Sequence, residues 1–73
     1  SDLDLLIRAP QPLTDDELRQ WQAQVEKLPC RADTQVETPF GAFALNEWLR
    51  EGRVLLKTAA GPRLTAAPWR REP

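Results

Sequence analysis

The chain has 73 residues, 10 Lys+Arg against 11 Asp+Glu, one cysteine, and no histidine, methionine or tyrosine. Without histidine it lacks the commonest general base and metal ligand, and a single cysteine excludes zinc clusters, iron–sulfur clusters and internal disulfides. A chain this short buries roughly 60 per cent of its unfolded surface, enough for one small core and no second domain.

Residues 2–8 alternate as a strand does: Leu3, Leu5 and Ile7 share one face, and Asp2, Asp4 and Arg8 share the other. Leu6 breaks the pattern and points to partial cover on both faces. Pro10 and Pro12 end the strand, because each removes a backbone donor and fixes φ. The next segment carries the strongest local signal. Thr14 and Glu17 have the spacing of a capping box, Leu13 and Leu18 that of a hydrophobic staple, and Asp15, Asp16 and Glu17 suit the positive end of a helix. Leu18, Trp21, Val25 and Leu28 then form one apolar stripe, and Pro29 terminates it. This predicts a helix over 15–28, with Trp21 in the core.

Residues 30–37 read as a polar strand, either at a sheet edge or with one solvated face. Residues 38–45 allow two readings. Thr38 can cap a helix over 39–51 with Pro39 at its first position. Alternatively, Thr38 to Gly41 form a turn, Ala42 to Leu45 return as a strand, and Asn46 caps a shorter helix over 47–51. The alternation of Phe43 and Leu45 with Ala42 and Ala44 favours the turn, as does the cost of Gly41 inside a helix, about 1 kcal/mol. In both readings Trp48 and Leu49 anchor a helix that Gly52 ends in a left-handed cap. Residues 53–58 are a strand, 59–62 a turn, 63–67 the returning strand of a hairpin, and 68–73 a tail. The expected fold is α+β: one small domain over residues 1–73, with a short mixed sheet of three to five strands, two helices on one face and a C-terminal hairpin. The chain does not start with methionine, which leaves room for an excision from a longer protein.

Hydrophobic residues at 41%, with three Trp and two Phe, argue for a folded domain rather than disorder. No apolar run reaches the roughly 20 residues needed to cross a bilayer, so no membrane insertion is expected. The acidic start lacks the basic region of a signal peptide, and a cytoplasmic location is expected. Arginine outnumbers lysine eight to two, a bias read as bacterial. Cys30 reads as a small reduced residue that could at most pair between chains.

The near-neutral total hides a polarity. Residues 1–29 sum to −3, 30–49 to −2 and 50–73 to +4. The acids of residues 15–17 belong to a helix start, Glu47 and Glu51 to a solvated helix face, and the threonines have no histidine to activate them. No glycine-rich phosphate loop is present. These points predict no enzyme, no cofactor and no metal. They predict a non-catalytic interaction module, a small bacterial adaptor or a domain of a larger assembly. It would meet a protein partner or a second copy through the edge of strand 30–37 and through Phe40, Arg53, Lys57, Arg63, Trp69, Arg70 and Arg71. Trp69 can equally fold back over the core.

The alternative is a nucleic-acid-binding regulator. Between Leu45 and Lys57 a helix ends in glycine and enters a basic hairpin, an order similar to the helix and wing of winged-helix proteins. Against it stand the negative net charge, Glu47 and Glu51 on the helix that would meet phosphates, and the opening strand and polar second strand, which leave no good pair of helices before the wing.

Overall fold

The computed structural model describes residues 2–70. Five strands form one sheet in sequence order: β1 Leu3–Arg8, β2 Ala32–Thr38, β3 Gly41–Ala44, β4 Val54–Thr58 and β5 Gly61–Thr65. Helices α1 (Asp15–Val25) and α2 (Leu45–Glu51) complete the fold. β1 and β2 are parallel, joined through α1, and the remaining neighbours are antiparallel. The expected α+β class, with a mixed sheet, two helices and a C-terminal hairpin, is the observed one.

The capping box forms as its spacing requires. The Glu17 amide donates to Thr14 Oγ1 at 3.1 Å, and the Thr14 amide donates to Glu17 Oε1 at 3.1 Å. The helix is shorter than its stripe. It ends at Val25, and the amides of Lys27 and Leu28 then bond three residues back, to Gln24 and Val25. This tightened turn precedes Pro29, which disfavours helix in the residue before it. Leu18 and Val25 are buried, but Leu28 and the ring of Trp21 remain partly exposed. Trp21 is therefore not a core residue. It lies over the sheet and donates through Nε1 to Thr34 Oγ1 at 3.0 Å.

β2 is not an edge. It pairs with β1 on one side and β3 on the other, and its polarity has another cause. Thr34, Val36 and Thr38 point into the core, and Asp33, Gln35 and Glu37 point to the opposite face, which no helix covers. The buried threonines are satisfied: Thr38 Oγ1 donates to the Pro68 carbonyl at 2.9 Å.

Residues 38–45 adopt the turn. Pro39 and Phe40 connect β2 to β3, and a Cβ on Gly41 would collide with the Lys57 carbonyl, so β3 and β4 approach this closely only at glycine. α2 starts at Leu45 with Ala44 as its N-cap and no side-chain cap, so Asn46 does not serve as one. The helix anchor is Leu45, fully buried, whereas Trp48 and Leu49 are partly buried against the same core. Gly52 closes α2 at φ 74°, its amide bonded to the Trp48 carbonyl. The final hairpin turns on Ala59 and Ala60 alone. Pro62 falls inside β5, an edge strand that can do without its amide.

The core is Ala9, Leu18, Val36, Phe43, Leu45, Val54 and Leu56. Phe43 is its centre, with Trp48 tilted against it at 6.0 Å and Trp69 edge-on at 5.5 Å. Pro68 is fully buried and Trp69 Nε1 donates to the Ala9 carbonyl at 3.0 Å, so the segment after β5 returns to the start of the chain.

Candidate functional site

The face of the sheet opposite the helices is open. Strand alternation and register place Asp4 beside Asp33, Leu6 beside Gln35, and Arg8 beside Glu37 on it. Asp2, exposed, lies two residues before Asp4 and just ahead of β1. The ion pairs among the described residues engage Glu37 with Arg8, Asp16 with Arg19, and Glu51 with Arg50. None involves Asp2, Asp4 or Asp33, and Arg31, exposed at the same end of the sheet, also makes none. One end of the open face thus presents three carboxylates whose charge the described residues leave unanswered. Among the described residues, no group of three or more His, Cys, Asp or Glu side chains is placed to hold a metal ion.

The sequence reading placed Asp2 and Asp4 on one strand face but gave them no role. The signal available was two carboxylates at i and i+2, interleaved with Leu3, Leu5, Leu6 and Ile7. Their relation to Asp33 depends on a parallel pairing across 29 positions of sequence.

Glu47 is not a solvated face residue either. Its Oε1 accepts the Leu55 amide at 3.0 Å, at the start of β4, where β3 has already turned into α2. Arg50 pairs with Glu51 instead.

The residues singled out for partner contact separate into groups. Phe40, Arg63 and Arg70 line one cleft at the turn end of the sheet, together with Leu56, Ala59 and Ala60. Lys57 lines a neighbouring cleft that shares Pro39, Phe40 and Ala59 as walls. Arg53 is exposed just before β4, apart from both. Trp69 packs on Phe43. Arg71 lies outside the described residues. Cys30 is a free thiol. No helix among the described residues is long and apolar enough to cross a membrane.

Residues 1–68 match the family described as the phosphoribosyl-dephospho-CoA transferase MdcG C-terminal domain. A phosphoribosyl-dephospho-CoA transferase of Klebsiella pneumoniae strain 342 is 76% identical over 72 residues, which make up 99% of this chain and 35% of that protein. Proteins of the same name from Azotobacter vinelandii and Pseudomonas putida are each 51% identical, over 71 and 70 residues, covering 96% and 94% of this chain and 34% of each relative. The chain spans about a third of the length of these curated relatives. No solved structure matches.

These similarities overturn both functional expectations drawn from the sequence, the non-catalytic adaptor and the nucleic-acid-binding regulator, and with them the expectation of no enzyme. Relatives this similar carry the name of a transferase. The absent histidine and the solitary cysteine exclude particular chemistries, but phosphate chemistry run by carboxylates and a hard cation needs neither.

Proposed function

This chain belongs to the family of phosphoribosyl-dephospho-CoA transferase MdcG C-terminal domains, and on that premise we propose that it holds the phosphates of the transferred group over the acidic end of its open sheet face. The observation that carries this reading is the placement of Asp4 on that face with Asp33 in register beside it, Asp2 just ahead of the strand, and no ion pair to any of the three among the described residues.

Carboxylates repel phosphates, so a phosphate site lined by them calls for a divalent cation between the two. The donor set fits Mg²⁺, a hard ion held by one or two carboxylates plus phosphate oxygens and water rather than by a complete protein cage. When bound, the ion supplies charge neutralisation and orientation of the phosphates. Asp4 would hold it from β1 and Asp2 from just ahead of that strand, two residues apart. Asp33 would stand beside Asp4 to orient the water around it, and Arg31 would meet a phosphate oxygen directly. The paired strands β1 and β2 fix Asp4 and Asp33, because the ladder sets the direction of each side chain, and Asp2 and Arg31 each lie one residue before a strand. A cytoplasmic location accompanies this reading, since a free thiol such as Cys30 stays reduced there.

The test is transfer by the full-length transferase that carries this domain. Asp4→Asn should lower the rate about 100-fold or more, since the ion's charge stabilisation amounts to several kcal/mol. Chelation with EDTA should abolish transfer and Mg²⁺ restore it. Full activity in both Asp2→Asn and Asp4→Asn would sink the reading.

A further inference from the structure

The open face carries an apolar row that runs across its strands. By register Leu6 lies beside Gln35, Gln35 beside Ala44, and Leu55 beside Leu64. Ala42 pairs with Lys57, so Ala44 and Leu55, each two residues on toward the same end, join the two halves of the row. The row therefore crosses all five strands, four spacings or roughly 19 Å. Single exposed leucines are ordinary, but three in one row on a face without a helix make a patch. Charge bounds the row on both sides. Two residues along the strands, roughly 7 Å away, stand Asp4 and Asp33. Two residues the other way stand Arg8, Glu37 and Lys57. Arg8 and Glu37 answer each other, whereas Lys57 makes no ion pair among the described residues.

We propose that this row is an interface within the transferase polypeptide. It receives an apolar strip from the part of that polypeptide lying outside these 73 residues, with a carboxylate of the strip set against Lys57. The relatives supply the occupant. The stretch they share with this chain is 34–35% of each, so about two thirds of each lies beyond it. A tethered segment meets the row at an effective concentration in the millimolar range, and interfaces between domains of one chain need only about 600–1,500 Å². A separate protein or a second copy has no such advantage. Cover over the row stops short of Asp4 and Asp33 and leaves them at its rim, and small-molecule sites favour such seams between domains. The inference rests on the family and not on the phosphate reading, so Asp4→Asn leaves the interface unchanged.

Hydroxyl-radical footprinting of the full-length transferase, native and urea-unfolded, tests this by mass spectrometry. Leu6, Leu55 and Leu64 are 51%, 44% and 60% exposed in this chain, so without cover folding should slow their oxidation only about twofold. Under cover each should react at least about fivefold slower than in urea, as a side chain in an interface core does. The double variant Leu55→Lys plus Leu64→Lys should release the strip. Leu6, itself unaltered, should then regain the uncovered rate, and small-angle scattering should show a larger radius of gyration. Both substituted side chains are exposed, and an unchanged melting temperature of this chain carrying the two changes shows that the sheet persists. Three leucines within about twofold of the unfolded rate in the purified transferase would overturn the proposal, as a separate protein partner would predict. Protection that vanishes on dilution, with the scattering mass of two copies, would overturn it in favour of a dimer. Leu6 still protected and the scattering unchanged in the double variant would overturn it as well.

Discussion

On the helix-bearing face of the sheet, Val36, Phe43 and Val54 are completely buried. On the opposite face, Leu6, Leu55 and Leu64 remain 51%, 44% and 60% exposed. The first face has every feature of a core: an aromatic cluster of Phe43, Trp48 and Trp69, buried threonines with partners, and two helices held to each other by Trp48 Nε1 donating to Asp15 Oδ1 at 3.1 Å. The second has an acidic end, exposed leucines and no cover among the described residues. The contrast separates two duties. One face makes the chain fold, and the other carries the proposed phosphate site.

Phe43→Ala breaks the folding face most directly. A buried Phe→Ala change costs about 3–5 kcal/mol, against a total of about 4–11 kcal/mol for a chain this size. Urea denaturation should show a loss of that size. Asp4→Asn does the reverse: transfer by the full-length enzyme falls about 100-fold, while the melting temperature of the domain holds. A melting temperature that falls with activity would mean the open face is also structural. Trp69→Ala removes an edge contact with Phe43 and the bond to the Ala9 carbonyl, for about 2 kcal/mol, and should loosen both the start of the chain and residues 66–70 in hydrogen exchange. Glu47→Ala strands the Leu55 amide at the start of β4 and costs about 1 kcal/mol in the same urea assay. Leu64→Ala should shift stability by less than about 0.5 kcal/mol. A larger loss there would mean the open face supports the fold after all.

What the sequence revealed follows from how local each feature is. The capping box, the glycine stop of α2 and the hairpin are written within a few residues of one another, and all three were legible. The place of β2 was not. Its polarity suited an edge strand and a half-solvated central strand equally, and only its pairing with both β1 and β3 decides. The length of α1 was misread because Leu28 continues the stripe by spacing, while Pro29 forces the chain out of the helix earlier. Phe40, Arg63 and Arg70 each stood out alone, and their meeting in one cleft arises because two turns lie side by side at one end of the sheet. Asp2 and Asp4 were visible as a pair. Their weight appears only once the helices are seen to leave that face open and the register sets Asp33 beside them.

The most direct test of the division between the faces is a Mn²⁺ titration of this chain, read by paramagnetic broadening of its amides. The acidic residues compete fairly, because Asp15, Asp16 and Glu17 form a second cluster at the start of α1. Broadening should centre on residues 2–5 and 32–34, disappear in Asp4→Asn, and spare residues 15–17. Broadening centred on the start of α1, or unchanged in Asp4→Asn, would contradict the account.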